Sequence, residues 1–258
     1  MSATSIRLSF VRSIAGLLAC AGLLAVPVEG SRTPGVDAAT RRAGPRLAPA
    51  PAEIGQAPAL PSGLTRTVLL DNASVLVARL RFAPGAREEV HTHPFSAVVI
   101  HLTPAVVDMR LGTGRATTRR EAGFTEFIPR EIPHAAANAG EADFEIVTIA
   151  LKPDRFRAPA GPATAAPPGI TRTPVLDNEE ARVARVGFAP GAAEPVHSHP
   201  VDLVVVPLTP GRLEIQQGSD KTVRAYTPGE AIFLPREVAH AVANADTRAV
   251  TLMSVTVK

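Results

Sequence analysis

The chain has 258 residues, 45% hydrophobic, 20% charged and 4% aromatic, with 25 prolines, one cysteine, no tryptophan and a formal net charge of +3. This length accommodates one or two domains with a sizeable core, and a single cysteine excludes an internal disulfide and any cysteine-built zinc or iron–sulfur site. The charge does not argue for nucleic acid: residues 1–62 carry six arginines against three acids, which leaves 63–258 balanced at 21 basic and 21 acidic residues, with few aromatics for base stacking.

In residues 1–30, Arg7 and Arg12 precede an uncharged, mostly apolar run from Ser13 to Val28, interrupted by Gly16, Gly22 and Pro27. That is the layout of an export signal peptide, and it is shorter than the roughly 20 apolar residues of a membrane-spanning helix. The expectation is an exported protein, periplasmic or secreted, cleaved between Ala25 and Ser31, with no stable membrane span after processing. Leu17-Leu18-Ala19-Cys20 offers a lipoprotein alternative through Cys20. Residues 31–62 are rich in Pro, Ala, Gly and Arg and show no apolar period, so a disordered spacer is expected.

Laid on itself with a shift of 106 positions, Gly63–Lys152 aligns with Gly169–Lys258 without a gap. About two positions in five are identical. Matched blocks include Asp71-Asn72 with Asp177-Asn178 and Phe82-Ala83-Pro84-Gly85 with Phe188-Ala189-Pro190-Gly191. This internal duplication predicts two like domains, 63–152 and 169–258, joined by a Pro/Ala-rich linker over 153–168. Short strands are expected at Val75–Phe82, Ser96–Leu102, Val107–Leu111, Phe124–Ile128 and Glu145–Leu151, set apart by turn sequences. With no competing helical period, the fold class is all-β, a barrel or sandwich in each half.

All seven histidines lie in the duplicated region, and six form matched pairs: His91/His197, His93/His199 and His134/His240. In an extended strand His91 and His93 share a face about 7 Å apart, so they can grip one ion, with His134 as the third ligand available in both copies. Repetition of the three positions in copies that otherwise diverge favours metal binding over idle histidines. His101 pairs with Pro207 and is read as packing or solvent-facing, not catalytic. Asn138 and Asn244 are read as turn formers, and Asp202 is not assigned to a site.

These residues carry a resemblance. Gly85, His91-Thr92-His93, Gly123, Pro129, His134 and Asn138, repeated as Gly191, His197, His199, Gly229, Pro235, His240 and Asn244, resemble the two signature motifs of the cupins over nearly all of 63–258. The resemblance implies two tandem cupin-type jelly-roll β-barrels, a bicupin, each binding a metal inside the barrel. Two departures stand out. The first motif's usual glutamate is replaced by Val98 and Val204, and the second motif's usual glycine by Glu131 and Glu237. Those two glutamates can supply the absent carboxylate, as ligands or by contacting the histidines; the alternative is surface pairing with Arg130 and Arg236, which contributes little.

Three neutral imidazoles leave a divalent ion its full charge and open positions, which suits an anionic, chelating small molecule. Fe, Mn, Zn, Ni and Cu are all compatible, up to one ion per domain. The resemblance extends to three-histidine cupins that are iron dioxygenases, so the first reading is a metal-dependent dioxygenase or related enzyme acting on a small organic anion. The second is a non-catalytic module that binds or senses a metal or a metal-chelated small molecule. A homo-oligomer is compatible with either, and nucleic acid is not an expected partner.

Overall fold

The computed structural model describes residues 60–258 except 154 and 160–164; the expected export signal, most of the expected spacer and part of the expected linker lie outside the described residues. Among the described residues every regular element is a strand. The first barrel comprises β1 (Leu64–Asp71), β2 (Val75–Phe82), β3 (Ser96–His101), β4 (Ala105–Leu111), β5 (Gly114–Arg120), β6 (Thr125–Ile128), β7 (His134–Asn138) and β8 (Phe144–Leu151). The second repeats it as β9 (Ile170–Asp177), β10 (Ala181–Phe188), β11 (Leu203–Pro207), β12 (Gly211–Gln217), β13 (Asp220–Tyr226), β14 (Ile232–Leu234), β15 (His240–Asn244) and β16 (Val250–Val257).

Each half is a jelly roll of two antiparallel sheets, ordered β1-β2-β8-β3-β6 over β5-β4-β7, and β9-β10-β16-β11-β14 over β13-β12-β15. The five expected strands appear as β2, β3, β4, β6 and β8. Three more, β1, β5 and β7, were not anticipated. The reason is burial: Gly114–Arg119 of β5 is exposed throughout and carries almost no apolar pattern for a period to show.

The larger sheets are buried on both faces. On β2, Val75 and Val77 join Val98, Ile100, Val147, Ile149 and Leu151 in a cluster shared with Val183, Val204, Val206, Met253 and Val255 of the second barrel. The alternate residues Ala78, Leu80, Phe82, Val99, Phe144 and Ile146 fill the first barrel's own interior. A strand with two buried faces reads as a continuous apolar run rather than an alternation, and β3 (SAVVIH) and β11 (LVVVP) do so.

Candidate metal centres

After β2 the chain returns across the mouth of the barrel and meets β7 at isolated bridges Arg87–Ala137 and His91–His134. His91 and His134 exchange backbone bonds, N–H to C=O, at 3.0 and 2.9 Å. Directly paired residues project their side chains to the same side of the ladder, so this pairing brings together two imidazoles 43 positions apart in sequence. His93 has left the ladder, and its carbonyl accepts the N–H of Glu131 at 2.8 Å. The backbone here is irregular rather than an extended strand, and the 7 Å separation expected of a strand gives way to Nε2 atoms of His91 and His93 only 3.1 Å apart. The His134 ring centroid lies 4.4 Å from that of His91 and 5.1 Å from that of His93. The second barrel repeats this with His197 and His199 at 3.2 Å and His240 at 4.5 and 5.0 Å by centroid. In each triad the three ligand atoms lie within 4.8 Å of one another.

Protonation is fixed by the backbone. Nδ1 of His91, His134, His197 and His240 lies 2.8, 2.8, 2.8 and 3.0 Å from the carbonyls of Glu89, Ile132, Pro195 and Val238. A carbonyl only accepts, so the ring proton sits on Nδ1 and the Nε2 lone pair is free for a cation. Burial, then the neighbouring imidazoles, push His93 and His199 down to about 4. Burial also lowers His134 and His240, against the opposing effect of their backbone bonds. Nε2 of His240 is buried with no hydrogen-bond partner among the described residues. Two metal–nitrogen bonds of ~2.0–2.1 Å near a right angle subtend about 3 Å, which matches the 3.1 and 3.2 Å edges. The residues therefore fit a divalent ion in each barrel.

Among the described residues no carboxylate joins either triad. Glu131 and Glu237 are exposed. They share a left-handed backbone, φ 61° and 59°, and N–H donation to the carbonyls of His93 and His199 at 2.8 and 2.7 Å. They occupy the family motif's glycine position in the conformation that favours glycine. Val98 and Val204 face the seam between the barrels, whereas Ala97 lines the interior of the first barrel. Asn138 closes the turn between β7 and β8 through bonds to the carbonyls of Phe82 and Ala142 and from the N–H of Gly140, and Asn244 does the same in the second barrel. Asp202 sits in the seam, accepting from Ser74 and from the N–H of Arg236 at 2.8 Å.

The first barrel encloses a cavity of about 660 Å³ reached by His91, His93 and His134, with walls that include Leu80, Val99, Val107, Ile128 and Phe144. Besides the triad, its polar members are Arg66, Glu88, Glu89, His101, Arg120, Glu126 and Thr148. His101 is therefore buried packing, not solvent-facing. Arg120 and Glu126 escaped the sequence reading because their partners come from other strands. The usable signal was divergence between the copies: shifted by 106, His101, Arg120 and Glu126 become Pro207, Tyr226 and Ile232. The counterparts of Ala97 and Ala136 are the larger Leu203 and Val242, which join Leu213, Tyr226, Ile232 and Leu234 in a continuous apolar core.

A family model described as "Cupin domain" matches residues 184–256. β-Alanine degradation protein BauB of Pseudomonas aeruginosa is 35% identical over 91 residues, 35% of this chain and 96% of that protein. Among solved structures, AerE of Microcystis aeruginosa superposes with a TM-score of 0.64 at 14% identity, covering 76% of this chain and 93% of that one. Bacillus subtilis oxalate decarboxylase gives 0.58 at 12%, covering 76% and 72%. Salicylate 1,2-dioxygenase of Pseudoaminobacter salicylatoxidans gives 0.57 at 11%, covering 71% of each. With the motifs, the two jelly rolls and a relative matched over its full length, the chain belongs to the cupin superfamily, as a tandem bicupin.

Proposed function

We propose that this protein is a metal-dependent enzyme whose first barrel acts on a small organic acid, with oxygenation or decarboxylation as the reaction type. The observation that carries this is the cavity of about 660 Å³ that meets His91, His93 and His134. Bound there, a divalent ion supplies Lewis acidity and a template for two substrate oxygens and, as iron, access to O₂ chemistry. Three neutral imidazoles leave its charge uncompensated, which favours an anionic ligand. Arg66, which also lines the cavity, adds positive charge for a carboxylate.

The chain's own contribution is to hold the imidazoles in one tautomer and to surround the ligand with apolar walls. The named neighbours support a small-acid substrate: one is an oxalate decarboxylase, one a salicylate dioxygenase, and the sequence relative is named for β-alanine degradation. The second triad, in a barrel where Leu203 and Val242 replace Ala97 and Ala136, favours a bound ion that stabilises or is carried rather than one that turns over substrate. Export through residues 1–30 is part of this proposal and rests on the sequence of that segment.

The test is metal content and turnover of the full chain. Two ions per chain are expected, with O₂ uptake or CO₂ release on at least one of a set of diketones, flavonols, thiols, hydroxybenzoates and small dicarboxylates. The His91→Ala/His93→Ala/His134→Ala variant is expected to bind one ion and lose turnover; the matching second-barrel variant is expected to bind one ion and keep at least half of it. Stoichiometric metal without turnover on the whole set overturns the enzyme reading, and unchanged metal content in the first variant overturns the site.

A further inference from the structure

The first barrel buries a polar trio that the second replaces with Pro207, Tyr226 and Ile232. Arg120 is 5% exposed. Its Nη1 donates to Glu126 Oε1 and reaches His101 Nε2 at 3.2 Å, and its guanidinium lies 5.0 Å over the Phe124 ring. Arginine only donates, so His101 Nε2 accepts and its proton sits on Nδ1, which is buried with no partner among the described residues. His101 thus braces Arg120, and Arg120 braces Glu126.

Glu126 faces inward from β6, opposite Val99 of β3, and its side chain is the most exposed of the three at 20%. Oε1 is taken by Arg120, and Oε2 accepts no hydrogen bond among the described residues. A buried ion pair is seldom a net gain for folding, and the duplicate barrel folds around Tyr226 and Ile232 instead. The pair is therefore not required by the architecture, and it stands in the wall of the cavity on which the first triad opens. Glu126 lines the same cavity of about 660 Å³ as His91, His93 and His134, so one small molecule seated there meets both.

We infer that Glu126 is a specificity-determining residue of the first barrel: Oε2 accepts a hydrogen bond from a hydroxyl on an otherwise apolar organic acid whose carboxylate lies at the His91–His93–His134 end, with Arg120 and His101 as positioning residues. The donor is neutral because Arg120 already balances the Glu126 charge; an ammonium would leave the pocket floor with an extra positive charge. The apolar walls select a hydrophobic body between the two polar ends. The inference rests on the reading of the first barrel as a ligand site.

Calorimetry on the full chain loaded with zinc, using benzoate, 3-hydroxybenzoate and 3-(aminomethyl)benzoate, tests it. One site per chain is expected, with 3-hydroxybenzoate at least tenfold tighter than benzoate. In the Arg120→Tyr/Glu126→Ile variant, which carries the second barrel's pair, that advantage falls below twofold while benzoate binding shifts by less than threefold. Glu126→Gln keeps an acceptor for Arg120 and so guards against misfolding of the double variant; it is expected to lose at least threefold of the advantage, because an amide accepts more weakly than a carboxylate. Equal affinity of benzoate and 3-hydroxybenzoate, an advantage that survives in either variant, or tightest binding of the ammonium probe overturns the inference while leaving the ligand site standing. Absence of binding by all three probes to a zinc-loaded chain overturns the ligand site and the inference together.

Discussion

Each imidazole of the triads is set by one atom pair. Because Nδ1 of His91, His134, His197 and His240 faces a carbonyl, the ligand nitrogen is chosen before any ion arrives, and burial disfavours the charged form of His134 and His240. This has a pH consequence. His93 and His199 sit at about 4 in the folded chain against about 6.5 unfolded. Between those values the unfolded chain binds protons that the folded sites refuse, so stability rises with pH across the window. It is fully present above about 6.5 and declines as pH falls toward 4. Metal-free protein is expected to show a falling urea midpoint from pH 7 to pH 4.5, and the His93→Ala/His199→Ala variant a flatter dependence; equal slopes would remove the imidazoles as the cause. Both sequence and structure single out these histidines, since a residue type repeated at fixed spacing is visible in sequence. Arg120 and Glu126 are not visible that way, because ion pairing across β5 and β6 follows no sequence period.

The loop between β6 and β7 shows how an element can be constrained by its backbone while its side chains stay free. Glu131 and Glu237 hold φ of 61° and 59° so that their N–H groups reach the carbonyls of His93 and His199. A left-handed conformation costs a residue with a Cβ roughly 1–2 kcal/mol, and glycine's larger loss of chain entropy returns about 0.5–1 kcal/mol of that difference. Glu131→Gly and Glu237→Gly are therefore each expected to stabilise the protein by about 0.5–1 kcal/mol in urea unfolding, with two ions still bound per chain. A fall to one ion in Glu131→Gly would assign its carboxylate to the metal. The connection between β2 and β3 shows why spacing alone misjudged the His91–His93 geometry: a strand was the natural reading of alternating residues, but the segment pairs with β7 only at the isolated bridges Arg87–Ala137 and His91–His134 and bends between them.

Across the whole molecule the two barrels share a seam with approximate twofold character. Ser96 donates to Glu180 at 2.7 Å, and at the positions shifted by 106, Ser74 donates to Asp202. Arg155, its side chain 1% exposed, bonds Glu180 at 2.8 Å and the carbonyls of Lys152 and Lys258 at 2.9 and 3.1 Å. The turns before β6 and β14 complete the seam. At Gly123, φ 82°, a Cβ would stand 1.9 Å from the Arg185 guanidinium, and at Gly229, φ 81°, it would stand 2.3 Å from Leu102. Burial alone would raise the Glu180 carboxyl, but the bonds from Ser96 and Arg155 outweigh it and hold it below the usual range. A depressed carboxyl adds stability above its unfolded value, about 4.5, and loses it as pH falls through the folded one. Acidification below about 4.5 is thus expected to weaken the seam, seen as a drop in melting temperature that Glu180→Gln makes less steep; an unchanged slope would remove Glu180 from the acid response.

The duplication, the all-β class and the six paired histidines followed from the sequence alone, because apolar alternation, turn residues and a gap-free repeat are local or periodic properties that survive without coordinates. The tertiary structure decided the rest. Burial of each larger sheet on two faces turned Val98 and Val204 toward the partner barrel, and cross-strand pairing joined His91 to His134. The exchange of His101, Arg120 and Glu126 for Pro207, Tyr226 and Ile232 places a buried polar trio in one barrel where the other has apolar packing. That distinction depends on which side chains meet in the interior, and no spacing along the chain encodes it.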